Sequence, residues 1–470
     1  MRRAEVRVWA LTAALVAGCG GSRSQLKKAD AYLEDGRPGA AVRAYERVLE
    51  RDPGHPPALV GIARAWIADG APERAIVPAQ VAVELGADGS RPALGAALVH
   101  SGRGAEAVGV LAAEIAEPDG ATVDTRLLLA QAQLAAGDLA AATSTAEEAQ
   151  MSGGGAAAQG LAAWLHARSG GCERATALAA RAQTSAMARA DVQAEAAAVF
   201  RHCGDAERAQ AAASTARTLQ ADGPEPWQAT AARLSKGGDN EGAARQLSRL
   251  RAVWPEEGLV ARDLGGVWDS LGALPRAESE LRQALALPPF AVARGDGSVR
   301  IVNNQSDALD VEARGEAMRD MHLRLARLRT ELGDLPGAAE ALQAVAAADV
   351  NDVGQWVAAA QAWARAGQAR RGLEAVGEAV SRAPRDPAVQ AVASTLYARA
   401  GDVGRAIGHG RLAWELNPAH ADVALALSAL YVERNESREA RRVLAETARR
   451  QPGDPRLKAA IDRLDAADLP

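Results

Sequence analysis

The chain has few aromatic residues, few cysteines and no concentration of positive charge. Of its 470 residues, 3% are Phe, Trp or Tyr and three are Cys, whereas 48% are apolar. Alanine must therefore supply much of the helix propensity and much of a thin core. The net charge is -5 and the basic residues are scattered, which excludes the concentrated basic face that nucleic-acid binding needs.

The sequence also lacks the motifs of common catalytic and cofactor sites. Its seven histidines form no pair at metal-ligand spacing, and it contains no glycine-rich phosphate loop, nucleophile elbow or HExxH motif. The nearest approach to a thiol site is His202-Cys203 followed by Asp205, at a predicted turn where no pocket is expected. We therefore expect no enzyme activity, cofactor, metal ion or small-molecule substrate.

Turn residues recur along the chain at a nearly constant interval. Eleven glycines and one asparagine separate segments of helical pattern, at steps of 32 to 35 residues apart from one step of 61. They are Gly36, Gly70, Gly102, Gly137, Gly170, Gly204, Gly238, Gly272, Gly333, Gly367, Gly401 and Asn435. A period near 34 residues is typical of helical hairpins stacked into a solenoid.

Two columns of small residues accompany these turns. Seven residues before each turn stands Ala, Gly or Ser, and five residues after it stands Ala, with Gly372 the one exception. Two helices approach closely only where both lack bulk, so the columns predict where the helices of each hairpin cross. Larger neighbours such as Trp268 and Trp363 are expected to fill the space between repeats.

This pattern resembles the tetratricopeptide repeat (TPR) family over nearly all of residues 26–451. The resemblance rests on the small columns, on an aromatic residue before many turns, such as Trp268, and on a closing proline such as Pro289. It implies an all-α fold, a right-handed α-solenoid of about twelve TPR helical hairpins. A helical pattern after Pro452 predicts the C-terminal capping helix that such solenoids need.

The interval of 61 residues contains an insertion. Residues 290–302 form two short β-patterned runs around a Gly-Asp-Gly turn, which predicts a short β-hairpin, and a long helical pattern follows. The expected organisation is 1–18 signal peptide, 19–25 lipidated tether, 26–289 repeats one to eight, 290–317 insertion with β-hairpin and helix extension, 318–453 repeats nine to twelve, and 454–470 capping helix.

The N-terminus resembles a bacterial lipoprotein signal. Arg2, Arg3 and Arg7 precede an apolar run at residues 8–17 that is too short to span a bilayer, and the sequence LVAG leads to Cys19. The resemblance implies that the Cys19 thiol receives lipid and becomes the new N-terminus. An ordinary secretory signal with a chance cysteine is the alternative.

Two further features bear on the location. Gly20 follows Cys19 where the enterobacterial sorting rule would need an aspartate for the inner membrane, so the resemblance implies the outer membrane. No other apolar run reaches transmembrane length. We therefore expect a lipid-anchored protein whose body faces the periplasm.

The other two cysteines, Cys172 and Cys203, are 31 residues apart. One lies just after a turn and the other just before the next turn, so both belong to the same edge of neighbouring repeats. A bridge needs their Cα atoms within about 7 Å. In the oxidising compartment that the signal implies, we expect a disulfide; two separate thiols are the alternative.

In the family that the pattern resembles, partners bind the concave face lined by the first helix of each hairpin. The columns six and three residues before each turn, with positions one helical turn earlier, are expected to line it. The predicted partner-binding groove comprises Val60, Arg64, Ile67, Val99, Leu127, Gln131, Leu134 and Trp164. Later repeats carry small or polar residues in these columns, such as Gln361 and Ala364. Placement of the apolar residues in the core is the alternative.

The sequence thus predicts a non-catalytic, lipid-anchored scaffold for protein–protein interaction at the periplasmic face of the outer membrane. The partners expected are proteins of a cell-envelope assembly, namely a secretin, pilus or polysaccharide-export complex. The alternative is a carbohydrate-associated scaffold that contacts peptidoglycan or exopolysaccharide, which exposed tryptophans would favour.

Overall fold

The computed structural model describes residues 21–220, 222–287, 291–293, 299–301 and 308–467. The chain folds as two compact units, Met1–Asn303 and Asn304–Pro470, and the division falls within the predicted insertion. The predicted signal peptide and Cys19 lie outside the described residues.

In its described part, the first unit contains sixteen α-helices that form eight antiparallel pairs. The helices are α1 (Gly21–Glu34), α2 (Pro38–Leu49), α3 (Pro56–Ala68), α4 (Pro72–Glu84), α5 (Ser90–His100), α6 (Gly104–Ile115), α7 (Val123–Ala135), α8 (Leu139–Met151), α9 (Gly155–Arg168), α10 (Cys172–Ser185), α11 (Ala190–His202), α12 (Ala206–Leu219), α13 (Glu225–Gly237), α14 (Asn240–Val253), α15 (Gly258–Ser270) and α16 (Leu274–Ala286). Two short strands follow, β1 (Ala291–Ala293) and β2 (Val299–Ile301), and they pair antiparallel with Ala291 opposite Ile301.

The second unit contains nine helices in its described part, four antiparallel pairs and a final single helix. They are α17 (Ala308–Glu331), α18 (Leu335–Ala348), α19 (Val353–Arg365), α20 (Ala369–Arg382), α21 (Pro387–Arg399), α22 (Val403–Leu416), α23 (Ala421–Glu433), α24 (Ser437–Arg450) and α25 (Pro455–Ala467). Helix α25 packs on α24, where Leu457 is fully buried.

The turn inside each helical pair has the same left-handed backbone conformation. All twelve predicted turn residues have a positive φ, from 61° at Asn435 to 92° at Gly238, a conformation that glycine adopts without a Cβ penalty. In the fifth pair the N–H of Gly170 donates to the Ala167 carbonyl and the N–H of Gly171 donates to the His166 carbonyl. These two bonds are a Schellman motif, which ends the first helix. The predicted turn positions therefore coincide with the turns of the structure.

The two small columns lie where the helices of each pair cross. Ala63 and Ala75 are fully buried at the crossing of α3 and α4. At Gly265 an added Cβ would lie 2.8 Å from Cγ of Leu281 on the partner helix, so even alanine is too large there. The columns therefore set how closely the helices pack.

A second recurring contact covers the aromatic residue four positions before several turns. An arginine four positions after the turn places its guanidinium over that ring, at 4.1 Å for Arg74 over Trp66 and 4.6 Å for Arg371 over Trp363. The same pairing occurs at the turns of Gly204, Gly272 and Gly401. Each such cation–π contact contributes about 0.5–1 kcal/mol, and the arginine stem covers apolar surface that alanine leaves open.

The regular stacking changes at the seventh pair, α13 and α14. Helix α13 follows a short segment that contains Gly223 and Pro224, packs chiefly on α14, and buries only Ala231 of its thirteen residues. Helix α14 instead packs on α11 and α12 of the sixth pair. From the seventh repeat to the end of the first unit, the helices are therefore not placed as a regular stack of repeats would place them.

Cys172 and Cys203 form a disulfide, with their Cα atoms 5.4 Å apart. Cys172 begins α10, and Cys203 directly follows α11. The bridge thus joins the second helix of the fifth repeat to the first helix of the sixth.

Replacement of both bridge cysteines by alanine should lower the free energy of unfolding by about 3 kcal/mol, because a cross-link enclosing some thirty residues restricts the unfolded chain. Urea unfolding of variant and wild type measures the difference. Alkylation of the unfolded, unreduced wild type followed by peptide mapping is the control, and modification of both Cys172 and Cys203 there would contradict the bridge.

Candidate partner-binding surfaces

The structure buries half of the side chains predicted to line a groove in repeats two to five. Val60 and Leu134 are 5% and 6% exposed, and Val99 and Trp164 are each 2% exposed. These four residues are unavailable to a partner, so the prediction of an open apolar groove is wrong for them.

The other four predicted groove residues keep some exposure. Ile67, Leu127 and Gln131 are half-buried, and Arg64 is exposed. Leu127 and Gln131 line a cavity of about 160 Å³. Arg64 borders a separate, wider opening of about 800 Å³ between the first three repeats.

The inner face of repeats four to six is covered by repeats seven and eight of the same unit. The Trp164 ring stacks on the Trp268 ring with centroids 6.3 Å apart. One turn along α9, Arg168 forms an ion pair with Glu241 of α14, and its guanidinium carbon lies 5.2 Å from the Trp268 ring centroid. The side chains thus lie on the predicted face, but the chain folds back over that face.

Glu195 on α11 lies at the centre of this covered face. It is 3% exposed, and its carboxylate accepts hydrogen bonds from Arg245, at 2.8 Å, and from Arg249, both on α14. Burial alone would raise the pKa of Glu195, but the two guanidinium groups outweigh burial and hold its pKa below the usual value. Glu195 is therefore ionised and bound to α14.

Two contacts near the turns also join repeats two and three to the seventh repeat. His100 Nδ1 lies 2.7 Å from Asp239 Oδ2, and Arg233 donates a 3.2 Å hydrogen bond to the Ala68 carbonyl. Asp239 also accepts a hydrogen bond from the N–H of Gly242 and so caps α14. Residues up to 165 positions apart in sequence are thus in contact within the first unit.

Sequence reasoning missed Glu195, Arg245 and Arg249. The available signal was the composition of α13, whose sequence has too few apolar residues to bury a face, together with the Gly- and Pro-containing joint before it. These features indicate a helix outside the regular stack, though they do not say where the next helix goes.

The second unit keeps an open groove on the corresponding face. This unit-two groove is a cavity of about 320 Å³ between α19 and α21. It is lined by Gln361, Ala364, Arg365, Val392, Thr395, Leu396 and Arg399. The floor is buried Leu396 with half-buried Ala364 and Val392, and polar side chains form the rim. A partner segment could therefore combine apolar contacts at the floor with polar contacts at the rim.

The rim of the unit-two groove is positively charged. Arg365 and Arg399 occupy the same position, two residues before the turn, in neighbouring repeats, and among the described residues neither has an ion-pair partner. At this position the preceding and following repeats carry Glu331 and Glu433. Arginine donates two parallel hydrogen bonds to a carboxylate, so the middle of the groove suits an acidic group.

The described residues also bear on metal binding and on membrane insertion. No three His, Cys, Asp or Glu side chains within those ranges are grouped so that they could hold a metal ion. No helix in the same ranges is both long enough and apolar enough to cross a membrane.

Protein-family models match both units. One model described as tetratricopeptide repeat matches residues 397–464, and another with the same description matches residues 26–90 and 229–292. The chain contains tetratricopeptide repeats. The matched segments lie towards both ends of the first unit and towards the C-terminal end of the second, and the second model covers most of the seventh repeat, where the stacking changes.

Several solved structures are similar to these TPR units. The APC/C hetero-tetramer Cut9-Hcn1 is 14% identical with a TM-score of 0.32, covering 95% of this chain and 96% of that chain. YrrB, described as a TPR protein with an unusual peptide-binding site, is 16% identical with a TM-score of 0.32, covering 48% and 100%. TTC0263, described as a thermophilic TPR protein in Thermus thermophilus, is 20% identical with a TM-score of 0.27, covering 44% and 98%. No curated protein matches the chain.

Replacement of Trp164 by alanine should destabilise the first TPR unit by about 3–5 kcal/mol, because it removes a buried ring and its stack on Trp268. Thermal melting followed by circular dichroism measures the loss. The matched control is Val77→Ala, since Val77 is 65% exposed and its truncation should change stability by less than about 0.5 kcal/mol. A Trp164→Ala variant that melts with the wild type would show that Trp164 lies outside the core.

Proposed function

We propose that the protein is a lipid-anchored TPR scaffold that holds an acidic segment of a protein partner in its unit-two groove. The observation that carries this proposal is the pair of arginines, Arg365 and Arg399, above an apolar floor. Many arginines of this chain are paired with a carboxylate of the same or a neighbouring helix, as Arg370 is with Glu374 and Arg382 is with Glu378. Among the described residues, Arg365 and Arg399 have no such carboxylate partner. Both guanidinium groups are therefore available to a partner protein.

The shape of the groove supports an elongated partner segment. Three residues before the turn, neighbouring repeats carry Ala364, Ala398 and Val432, and Val432 is 43% exposed. These side chains form an apolar strip beside the arginines. A helix or extended segment with acidic residues on one side and apolar residues on the other matches both features.

The first unit is less suited to this role in the conformation described. Its inner face at repeats four to six is covered by α14 and α15, whereas the unit-two groove is open. We therefore assign partner binding to the second unit, contrary to the expectation from the apolar side chains of repeats two to five.

The carbohydrate-associated alternative loses its main support. Direct glycan contact would be favoured by exposed tryptophans, but Trp164 of the predicted groove stacks on Trp268 inside the first unit. Trp254, Trp356, Trp363 and Trp414 are likewise buried, and Trp66 and Trp227 are half-buried. A protein partner is therefore the better candidate.

The proposed location follows from the N-terminal sequence. A lipid on Cys19 would anchor the body to the outer membrane on its periplasmic side, where the Cys172–Cys203 disulfide is stable. A scaffold there has access to cell-envelope assemblies, and we propose that it serves a secretin, pilus or polysaccharide-export complex.

Replacement of Cys19 by alanine should move the protein from the membrane pellet to the soluble fraction, or leave it as an unprocessed precursor, because the attached lipid is the expected anchor. Fractionation with immunoblotting and mass analysis of the N-terminus measures both outcomes. Cys203→Ala is the matched cysteine control and should stay in the pellet. If Cys19→Ala is cleaved normally and still pellets, the lipid anchor is ruled out.

Replacement of Arg365 and Arg399 by alanine should weaken partner capture at least about tenfold, because each charge-assisted hydrogen bond contributes on the order of 1.5–3 kcal/mol. The assay is capture from detergent-solubilised outer membranes by protein that carries a photo-crosslinker at Gln361, with the cross-linked species identified by mass spectrometry. Capture by the wild type should also weaken as salt is raised.

The control for this assay is Arg370→Ala with Arg385→Ala, which removes two exposed arginines of the same unit outside the groove. It should capture the partner as well as the wild type does. Equal capture by the groove variant, at unchanged helicity and melting temperature, would exclude the unit-two groove as the partner site. Cross-linking to a glycan alone would instead favour the carbohydrate-associated scaffold.

A further inference from the structure

Helix α14 occupies the inner face of repeats four to six in the way that a bound helical ligand would. It packs against α11 and approaches α7. Its neighbour on α9 is Gly160, where an added Cβ would lie 3.9 Å from the Arg245 guanidinium. These three helices are the first helices of consecutive hairpins. Helix α14 is itself the second helix of a hairpin, and apart from α12, which packs on α11 and α14, the other second helices of this unit pack on the helices next to them in sequence.

The recognition of α14 depends on two arginines one helical turn apart. Arg245 and Arg249 lie on the same face of the helix and both bind the single buried carboxylate of Glu195. Asp191, which is itself paired with Arg189, lies with Arg249 at the edge of the cavity of about 160 Å³. Gly160 leaves room for the arginines, and the surface is thus complementary to a helix with basic residues at i and i+4.

The polar part of this contact is incompletely packed. A cavity of about 160 Å³ remains between α14 and the helices beneath it, bordered by Glu195, Arg245 and Arg249. The free energy needed to remove two paired charges from water is nearly as large as the free energy of their attraction. Returning the pair to water therefore requires little free energy. Helix α13, which would move with α14, buries only Ala231. The polar contact at Glu195 and helix α13 are therefore the weakly stabilised parts of this closure. Leu247 and Leu250 of α14 are buried and add apolar contacts that a partner helix has to replace.

We propose that α14 is a displaceable intramolecular ligand, and that the face formed by α7, α9 and α11 accepts in its place a partner helix with two arginines one turn apart. In the closed conformation the chain blocks this second binding surface. Displacement of α14 opens it. The proposal concerns the first unit and does not depend on the unit-two groove.

Hydrogen exchange of the wild-type protein tests whether α14 detaches. Amides of residues 240–253 should exchange at least about tenfold faster than those of 206–219 and 274–286, the second helices of the adjacent repeats. This measurement needs no substitution, so it cannot fail through misfolding. Equal or slower exchange at 240–253 would overturn the proposal.

A fluorescently labelled peptide of residues 240–253, NEGAARQLSRLRAV, tests the surface itself by fluorescence anisotropy. The receptor is full-length protein with Arg245→Lys and Arg249→Lys, which keeps both charges but loses the forked geometry of arginine. This variant should bind the peptide at least about tenfold more tightly than the wild type, whose own helix competes. A peptide with both arginines replaced by alanine is the matched control and should not bind.

Adding Glu195→Gln to the Arg245→Lys, Arg249→Lys protein tests whether the peptide binds through the Glu195 carboxylate or only through non-specific electrostatic attraction. It should reduce peptide affinity at least about tenfold with helicity retained. Binding that is unchanged by Glu195→Gln, or no binding to the lysine variant while it remains helical, would overturn the proposal. If the lysine variant is not helical, the exchange experiment on the wild type decides.

Discussion

The close crossing of two helices at a pair of small residues is the constraint on which every hairpin depends. At Gly265 the partner helix leaves no room for a Cβ, and at most other crossings an alanine faces an alanine. Such a crossing buries little apolar area, so each hairpin is weakly stabilised by itself. The arginines over the aromatic rings, such as Arg74 over Trp66 and Arg371 over Trp363, add stability at the exposed end of several hairpins.

Local features of the sequence predict local structure well in this chain. The turn residues from Gly36 to Asn435 and the small columns place the helix pairs, because a left-handed turn and a close crossing each need particular residues. The spacing of Cys172 and Cys203 also predicts their proximity, since it depends only on adjacent repeats. The predicted groove was partly wrong, because burial of Trp164 depends on a segment about a hundred residues further along the chain.

The first unit therefore departs from the behaviour expected of a linear repeat array. In a simple solenoid each repeat contacts only its neighbours, and stability is close to a sum of local terms. Here His100 pairs with Asp239, and Trp164 stacks on Trp268. Contacts of this range couple early repeats to late ones, and no period in the sequence encodes them. They depend on a few particular side chains, some charged and some aromatic, which composition and periodicity alone do not single out.

The disulfide has a mechanical consequence for a protein held at one end. A scaffold anchored near its N-terminus and loaded by a partner at its second unit would be pulled along the chain between those points. The bridge carries tension directly from Cys172 to Cys203, so the segment between them cannot be stretched. About 30 residues, or roughly 100 Å of extended chain, are thereby removed from the length that force can draw out. The repeats on either side of the bridge would yield first.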